Sequence, residues 1–225
     1  MEVFEKLQLW IDPDARSGPE AMAVDEWLLE TATQPVLRVY RWLGDWASIG
    51  YFGEIAAAQT SIDGVQWVRR WSGGGTVDHR ADWTYSVIVP QGEPLATLRG
   101  AESYRAIHSA LADILMAEGV VARMSSGLEE TGAVLCFENP VSHDLIGTDG
   151  RKIAGAGQRR SRQGLLHQGS VSAHCRDEDA FQKRAVALAD RLSSTVEVFP
   201  LRLVPQSIAE KIAARYGRNE WTNRR

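Results

Sequence analysis

QWVRRWSGGGTVDHRADWTYSVIV, residues 66–89, holds two short strands with no helix between them. Residues 66–71 and 84–89 are rich in Val, Ile, Tyr and Trp, which favour extended chain. A serine and three glycines interrupt them. Outward toward the N-terminus, VLRVYRW (36–42) alternates cleanly and residues 47–52 read as another strand. Strands therefore come in a run, and the predicted helices lie outside it. One covers 20–31. A second covers 101–118, where Tyr104, Ile107, Leu111, Ile114 and Leu115 recur at helical steps before Gly119. A third, over 177–192, opens on acidic residues that suit a helix N-terminus, and a fourth covers 205–216. Residues 3–10, 120–123, 134–137, 144–146, 152–154 and 165–172 read as further short strands. Runs of strands with helices between the runs predict an α+β fold, with mixed or antiparallel sheets flanked by helices. No proline- or serine-rich linker divides residues 1–225, so a single domain is expected.

Composition excludes several classes. The net charge is −4, with 25 basic and 29 acidic residues. A nucleic-acid binder carries a basic excess or stripe, so no nucleic-acid partner is expected. No apolar run approaches the roughly 18 residues of a membrane span, and Glu2, Glu5 and Lys6 interrupt any signal-like N-terminus. Two cysteines, Cys136 and Cys175, make no disulfide framework. A soluble, cytoplasmic protein is expected.

The loop Ser72-Gly73-Gly74-Gly75 follows Arg69 and Arg70 and precedes His79. Three residues without Cβ let backbone approach a ligand closely and let N–H groups converge on oxygens. It is neither a Walker loop nor GxGxxG. A plain tight turn is the competing reading.

CFENPVSHDLIGTDGRKIAGAGQRRSRQGLLHQGSVS (136–172) is the densest stretch. Asp149-Gly150 is a hairpin signal. It sets Lys152 at the start of a strand followed by Ala154, Gly155, Ala156 and Gly157, which leave room for a ligand. Lysine occurs only at positions 6, 152, 183 and 211. Lys152 is either a solvated hairpin lysine or a donor to an oxygen that gains charge during acyl transfer. Arg159, Arg160 and Arg162 suit a phosphate, an acidic carrier protein or solvent. Cys136, in the apolar context VLCF, is either a buried structural thiol or an acyl-accepting thiolate. His143 is a candidate base. A zinc site from Cys136, His143, His167 and Cys175 matches no paired-ligand spacing.

These blocks resemble the lipoate–protein ligase and octanoyltransferase superfamily, related in fold to biotin protein ligases. GPEAMAVDEWLLE is similar to its opening helix, LRVYRWLGDWASIGYF to its aromatic strand, and RRWSGGGTVDH to its acyl-site loop. GRKIAGAGQRR and HQGSVS resemble its lysine motif and following strand, and YGRNEWT its terminal segment. Five blocks in order span nearly the whole chain. The resemblance implies a biotin/lipoate ligase-like catalytic domain. It implies acyl or substrate binding by Arg69, Arg70, Ser72, Gly73, Gly74, Gly75, His79, Gly155, Ala156 and His167, with Lys152 catalytic and no metal site.

Within the superfamily, transferases take an octanoyl thioester from acyl carrier protein, and ligases activate lipoate with ATP. In one transferase branch a cysteine in a segment like CFxxPxxxxL is acylated first, and Cys136 falls on that match. The expected reaction is transfer of an octanoyl or lipoyl group from octanoyl-acyl carrier protein, through acyl-Cys136, to a lysine of lipoyl-domain proteins, without a cofactor. The absence of the extra C-terminal domain of many ligases points the same way. The loop is closer to the ligase form than to Thr-Gly-Gly-Arg. GAGQ replaces Gly-Ser-Ala-Gln, and His143 stands where ligases often carry Asn before Asp144. The alternative is an ATP- and Mg-dependent lipoate ligase with Cys136 as packing. A non-catalytic lipoyl-domain scaffold is the third reading, and the lysine motif disfavours a biotin ligase.

Overall fold

A computed structural model describes residues 2–128, 130, 131, 139, 141–173, 175 and 177–224. Cys136 and the strand expected at 134–137 lie outside the described residues. The elements in chain order begin with β1 (Leu7–Ile11), α1 (Gly18–Thr31), β2 (Val36–Tyr40), β3 (Trp46–Ile49) and α2 (Ile55–Gln59). Next come β4 (Gln66–Arg69), β5 (Thr76–Asp78), β6 (Trp83–Pro90), α3 (Pro94–Thr97), α4 (Gly100–Ala117), β7 (Arg123–Met124) and β8 (Leu145–Ile146). The rest are β9 (Lys152–Ser161), β10 (Gly164–Val171), α5 (Glu178–Leu192), β11 (Val196–Val198), α6 (Pro205–Lys211) and α7 (Asn219–Thr222). A π-helical turn, Ile212–Tyr216, extends α6, so the helix expected over 205–216 changes winding halfway.

Eight strands form one sheet in the order β11-β1-β2-β6-β10-β9-β8-β7. β1 runs parallel to β11 and β2, and the remaining pairs are antiparallel. A smaller sheet, β4-β3-β5, mixes one parallel and one antiparallel pair. This is the α+β arrangement expected from the strand runs. β9 and β10 pair through the two-residue connection that follows Ser161, matching Gly164 with Ser161 and Val171 with Ala154.

Strand alternation splits the interior in two. Trp83, Tyr85, Val87 and Val89 of β6 face Ile107, Leu111 and Leu115 of α4 and Phe181, Leu188 and Leu192 of α5. Val36, Tyr40, Ile88 and Leu166 face Ala21, Met22, Val24 and Leu28 of α1 on the opposite side. Each such large apolar side chain contributes about 1.5–3 kcal/mol on burial.

Helix α1 is anchored by charge as well as by apolar packing. Glu20 accepts hydrogen bonds from the Ser17 backbone N–H and hydroxyl at its start. Fully buried Arg38 of β2 donates to Asp25 at 2.6 Å, to Asp12 at 2.9 Å and to the Ala21 carbonyl at 2.9 Å. An unpaired cation at that depth would cost several kcal/mol. Two carboxylates from different elements neutralise it and fix the rotation of α1 over the sheet.

Candidate functional site

A narrow slot with a free volume of about 20 Å³ runs between the large sheet and the small one. Its walls are Met22 of α1, Tyr40 and Trp42, Arg70, Gly74 and Val77 of the glycine-loop segment, and His79. Its floor is the β9–β10 ladder, where Gly155, Ala156 and Gly157 meet Ser170, Gly169 and Gln168. Small residues on adjacent strands create this depth. A Cβ on Gly157 would stand 2.2 Å from the Gly73 carbonyl oxygen, so the loop rests directly on β9. The Gly73 N–H closes that contact by donating to the Gln158 carbonyl at 3.3 Å.

The loop is held from two sides. Ser72 Oγ donates to Gln168 Oε1 at 2.6 Å, and Gln168 Nε2 donates to Asp25 at 2.7 Å. Asp25 also accepts from Ser86 Oγ at 2.6 Å. On the other side, Arg70 donates to the carbonyls of Gly73 and Gly75 and to Ser48 Oγ. Ser48 lies 2.6 Å from His79 Nε2, and His79 Nδ1 lies 2.7 Å from Asp82. Asp82 only accepts, so Nδ1 carries the proton and, in the neutral ring, Ser48 donates to Nε2. Trp42 stacks on His79 with ring centroids 3.9 Å apart. This has the connectivity of a Ser–His–Asp triad. Ser48 Oγ, however, is wholly buried and already accepts from Arg70. The set braces the slot wall; it does not present a nucleophile.

Lys152 lies at the β9 end of the slot, 5% exposed. Its side chain folds across Gly155, where a Cβ would lie 2.1 Å from Lys152 Cε and 2.4 Å from Nζ. Only glycine permits that path. Nζ lies 2.7 Å from buried Asp144. Asp144 also accepts from the Val141 N–H at 2.8 Å and from the Tyr104 hydroxyl. Tyr104 in turn accepts from the Ala156 N–H at 2.7 Å. Helix α4 thus reaches both the lysine's counter-ion and the strand that lines the slot. Burial, reinforced by Asp144, raises the Tyr104 phenol pKa well above its ordinary value, so it remains a donor.

Behind Tyr104 lie two buried imidazoles. His108 Nδ1 donates to the His143 carbonyl at 2.9 Å, while its buried Nε2 has no partner. His167 contacts Gln158 Nε2 at 3.1 Å and Tyr85 OH at 3.3 Å. Burial lowers the pKa of His108 to about 4 and that of His167 well below its ordinary value.

The structure thus brings Arg70, Gly74, His79, Gly155 and Ala156 to the slot wall, with Ser72 and Gly73 beneath the loop and Lys152 at one end. It does not bring Arg69 or His167 there. Arg69 points to the opposite side of β4, and its guanidinium donates to six carbonyls, those of Gly50, Tyr51, Gly53, Trp221, Thr222 and Arg224. His167 faces α4 on the other side of β10 from Gln168. His143 has φ 70° and contributes its carbonyl. Cys175 is half-buried, and burial raises its thiol pKa. Among the described residues no His, Cys, Asp and Glu cluster suits a metal. No described helix is long and apolar enough to cross a membrane.

A separate open groove of about 1400 Å³ is lined by Thr76, Asp78, Arg80, Arg151 and Lys152 among others. The sequence marks none of Trp42, Ser48, Asp82, Tyr104 and Gln168 as a site residue. The sequence signal for Asp144 is its match to the aspartate that ligases often carry after an Asn, here replaced by His143.

The family model of the lipoyl protein ligase A/B catalytic domain matches residues 17–197. The octanoyltransferase LipM of Brevibacillus brevis is 28% identical, over 96% of this chain and 98% of that protein. A candidate lipoate protein ligase of T. acidophilum, solved with bound lipoic acid, superposes with a TM-score of 0.76 at 18% identity, covering 99% of both chains. The bipartite lipoate protein ligase from Thermoplasma acidophilum, described with its E2 lipoyl domain, gives 0.69 at 19% identity, covering 97% of this chain and 96% of that one.

Proposed function

The chain belongs to the lipoyl protein ligase A/B catalytic domain family, and on that premise we propose that it transfers an octanoyl or lipoyl group to a lysine of a lipoyl-domain protein. The supporting observation is the buried Lys152 ammonium, folded over Gly155 at one end of a narrow slot walled by Met22, Tyr40, Trp42 and Val77. An ammonium in a water-poor site stabilises a carbonyl oxygen strongly as it becomes an oxyanion. Asp144 and Tyr104 hold it there before substrate arrives, so little reorganisation is needed during reaction.

The donor in this reading is octanoyl-acyl carrier protein, and the first acceptor is Cys136. Its thiolate attacks the thioester carbonyl, and the carrier thiolate leaves and takes up a proton. The neutral amine of the lipoyl-domain lysine then attacks acyl-Cys136. The C–S bond breaks, an amide forms, the amine proton is released and the Cys136 thiolate is regenerated. Lys152 donates to the same carbonyl oxygen in both steps. Likeness to an octanoyltransferase over 98% of its length supports octanoyl transfer. Neither step requires a cofactor. Residues 1–225 act as one catalytic domain in a soluble, cytoplasmic protein.

Intact mass after incubation with octanoyl carrier protein, with and without ATP, tests the reading. An octanoyl adduct without ATP, absent in Cys136→Ser, is expected. Full transfer by Cys136→Ser with no adduct on the wild type overturns the cysteine route. The groove beyond Lys152 favours a second reading, an ATP-dependent lipoate ligase, because Arg80, Arg151 and Lys152 could face a triphosphate. Lipoate-dependent ATP–pyrophosphate exchange would establish that reading instead.

A further inference from the structure

The glycine loop is flanked by a surface that the slot chemistry leaves unused. The turn Gly50–Gly53 packs on the loop: the Tyr51 N–H donates to the Ser72 carbonyl at 2.8 Å. At its tip Phe52 is 83% exposed, braced edge-on by Tyr51. Three guanidinium groups stack on the aromatic rings around it. Arg159 covers Trp71, Arg215 covers Trp71 and Trp221, and Arg224 covers Tyr51 and Trp221. Arg69 ties the whole patch together from below, joining the 50–53 turn to α7. Such arginines are planar, weakly hydrated and held in place, which suits them to an interface.

The charge of the patch is opposite to that of the chain. The protein carries −4 overall. Here Arg69, Arg159, Arg215 and Arg224 stand against Glu26, which pairs with Arg215 at 2.6 Å, and Glu54 beside the turn. That leaves a local excess of two positive charges. Neither Arg159 nor Arg224 makes an ion pair among the described residues.

We propose that this aromatic–arginine face docks a small acidic protein domain that presents the acceptor lysine beside the glycine loop. Two approaches must reach the Lys152 end of the slot. The open groove on the Lys152 side suits the arm of an acyl donor. The shallow patch by the loop fits the rounded surface of a folded domain, whose acidic side chains meet the stacked arginines and whose apolar contact covers Phe52. The identity of the occupant rests on the transfer reading above; the charge and exposure of the face do not.

Binding of an isotope-labelled apo lipoyl domain to the full chain tests it, read by chemical-shift titration at low and at physiological salt. Phe52→Ala and Arg224→Glu, at separate positions, are each expected to weaken Kd about tenfold while octanoyl loading from the donor keeps its wild-type rate. A lipoyl domain with a contacting acid changed to lysine should regain affinity for Arg224→Glu. Wild-type affinity in both variants, or no binding by the wild-type chain, overturns the docking face. Binding through the patch without any acyl transfer leaves it standing and removes the transferase reading instead.

Discussion

Gln168 hands one side of its carboxamide to Ser72 and the other to Asp25, at 2.6 and 2.7 Å. Because Asp25 can only accept, the amide orientation is fixed and the serine must donate. The helix over one sheet face and the loop over the slot are thereby set by a single side chain.

Gln168→Leu removes both bonds and leaves Asp25 short of a donor in a buried site. A loss of about 1–3 kcal/mol is expected, measurable by urea unfolding. The loop would also lose its tether, so the acyl-donor KM should rise more than kcat falls. Equal effects on a distant surface control would refute the tether.

Gly155→Ala puts a methyl group on the path of the Lys152 side chain. Lysine must then leave Asp144. Transfer should fall by about 10²-fold or more, on the scale of losing an oxyanion donor, and the drop should appear in kcat. Single-turnover acyl transfer is the measurement, and near wild-type turnover would contradict the role given to Lys152.

Tyr104→Phe keeps the ring and removes the hydroxyl that donates to Asp144 and accepts from Ala156 N–H. About 1–3 kcal/mol of stability should be lost through the unpaired groups. Because Tyr104 acts on Lys152 only through Asp144, it is a positioning residue. The variant should shift the pH profile of transfer, whereas a purely structural role would lower activity uniformly with pH.

His108 gives the fold an acid limit. In the unfolded chain its imidazole takes a proton near its ordinary pKa of 6.5, but burial holds it down to about 4 in the folded protein. Between those values the unfolded state binds more protons, so stability falls as pH drops and rises with pH. His167 shifts in the same direction. His108→Asn should flatten the decline of Tm between pH 6.5 and 4. An unchanged slope would mean that His108 binds the same number of protons in the folded and unfolded states.

The parts of this molecule that obey a local period were readable in advance. Tyr104, Ile107, Leu111, Ile114 and Leu115 announced α4, and the run of β-branched and aromatic segments announced strands without helices between them. The glycine loop and Lys152 could be picked out because three missing Cβ atoms and a lone lysine among small residues are local facts. What joins them is not local. Arg69 and Arg70 looked like one basic pair, but side chains of consecutive strand residues point to opposite faces, so Arg70 braces the loop while Arg69 holds the C-terminal segment. His167 and Gln168 divide in the same way, and only Gln168 reaches the slot side. The link from Tyr104 through Asp144 to Lys152 depends on how α4 packs over β9, which no spacing along the chain encodes.

The ties that hold the slot and its flank cross the sequence at long range. Ser72 to Gln168 spans 96 residues, Gln168 to Asp25 spans 143, and Arg69 to Thr222 spans 153. Contacts of such separation form late, after the loop-closure entropy of the intervening chain has been overcome. During synthesis from the N-terminus, the glycine loop emerges long before its anchors on β10 and α7. A growing chain can therefore hold its helices and strands while lacking the slot, whose loop is tied down only once β10 has brought Gln168 to Ser72.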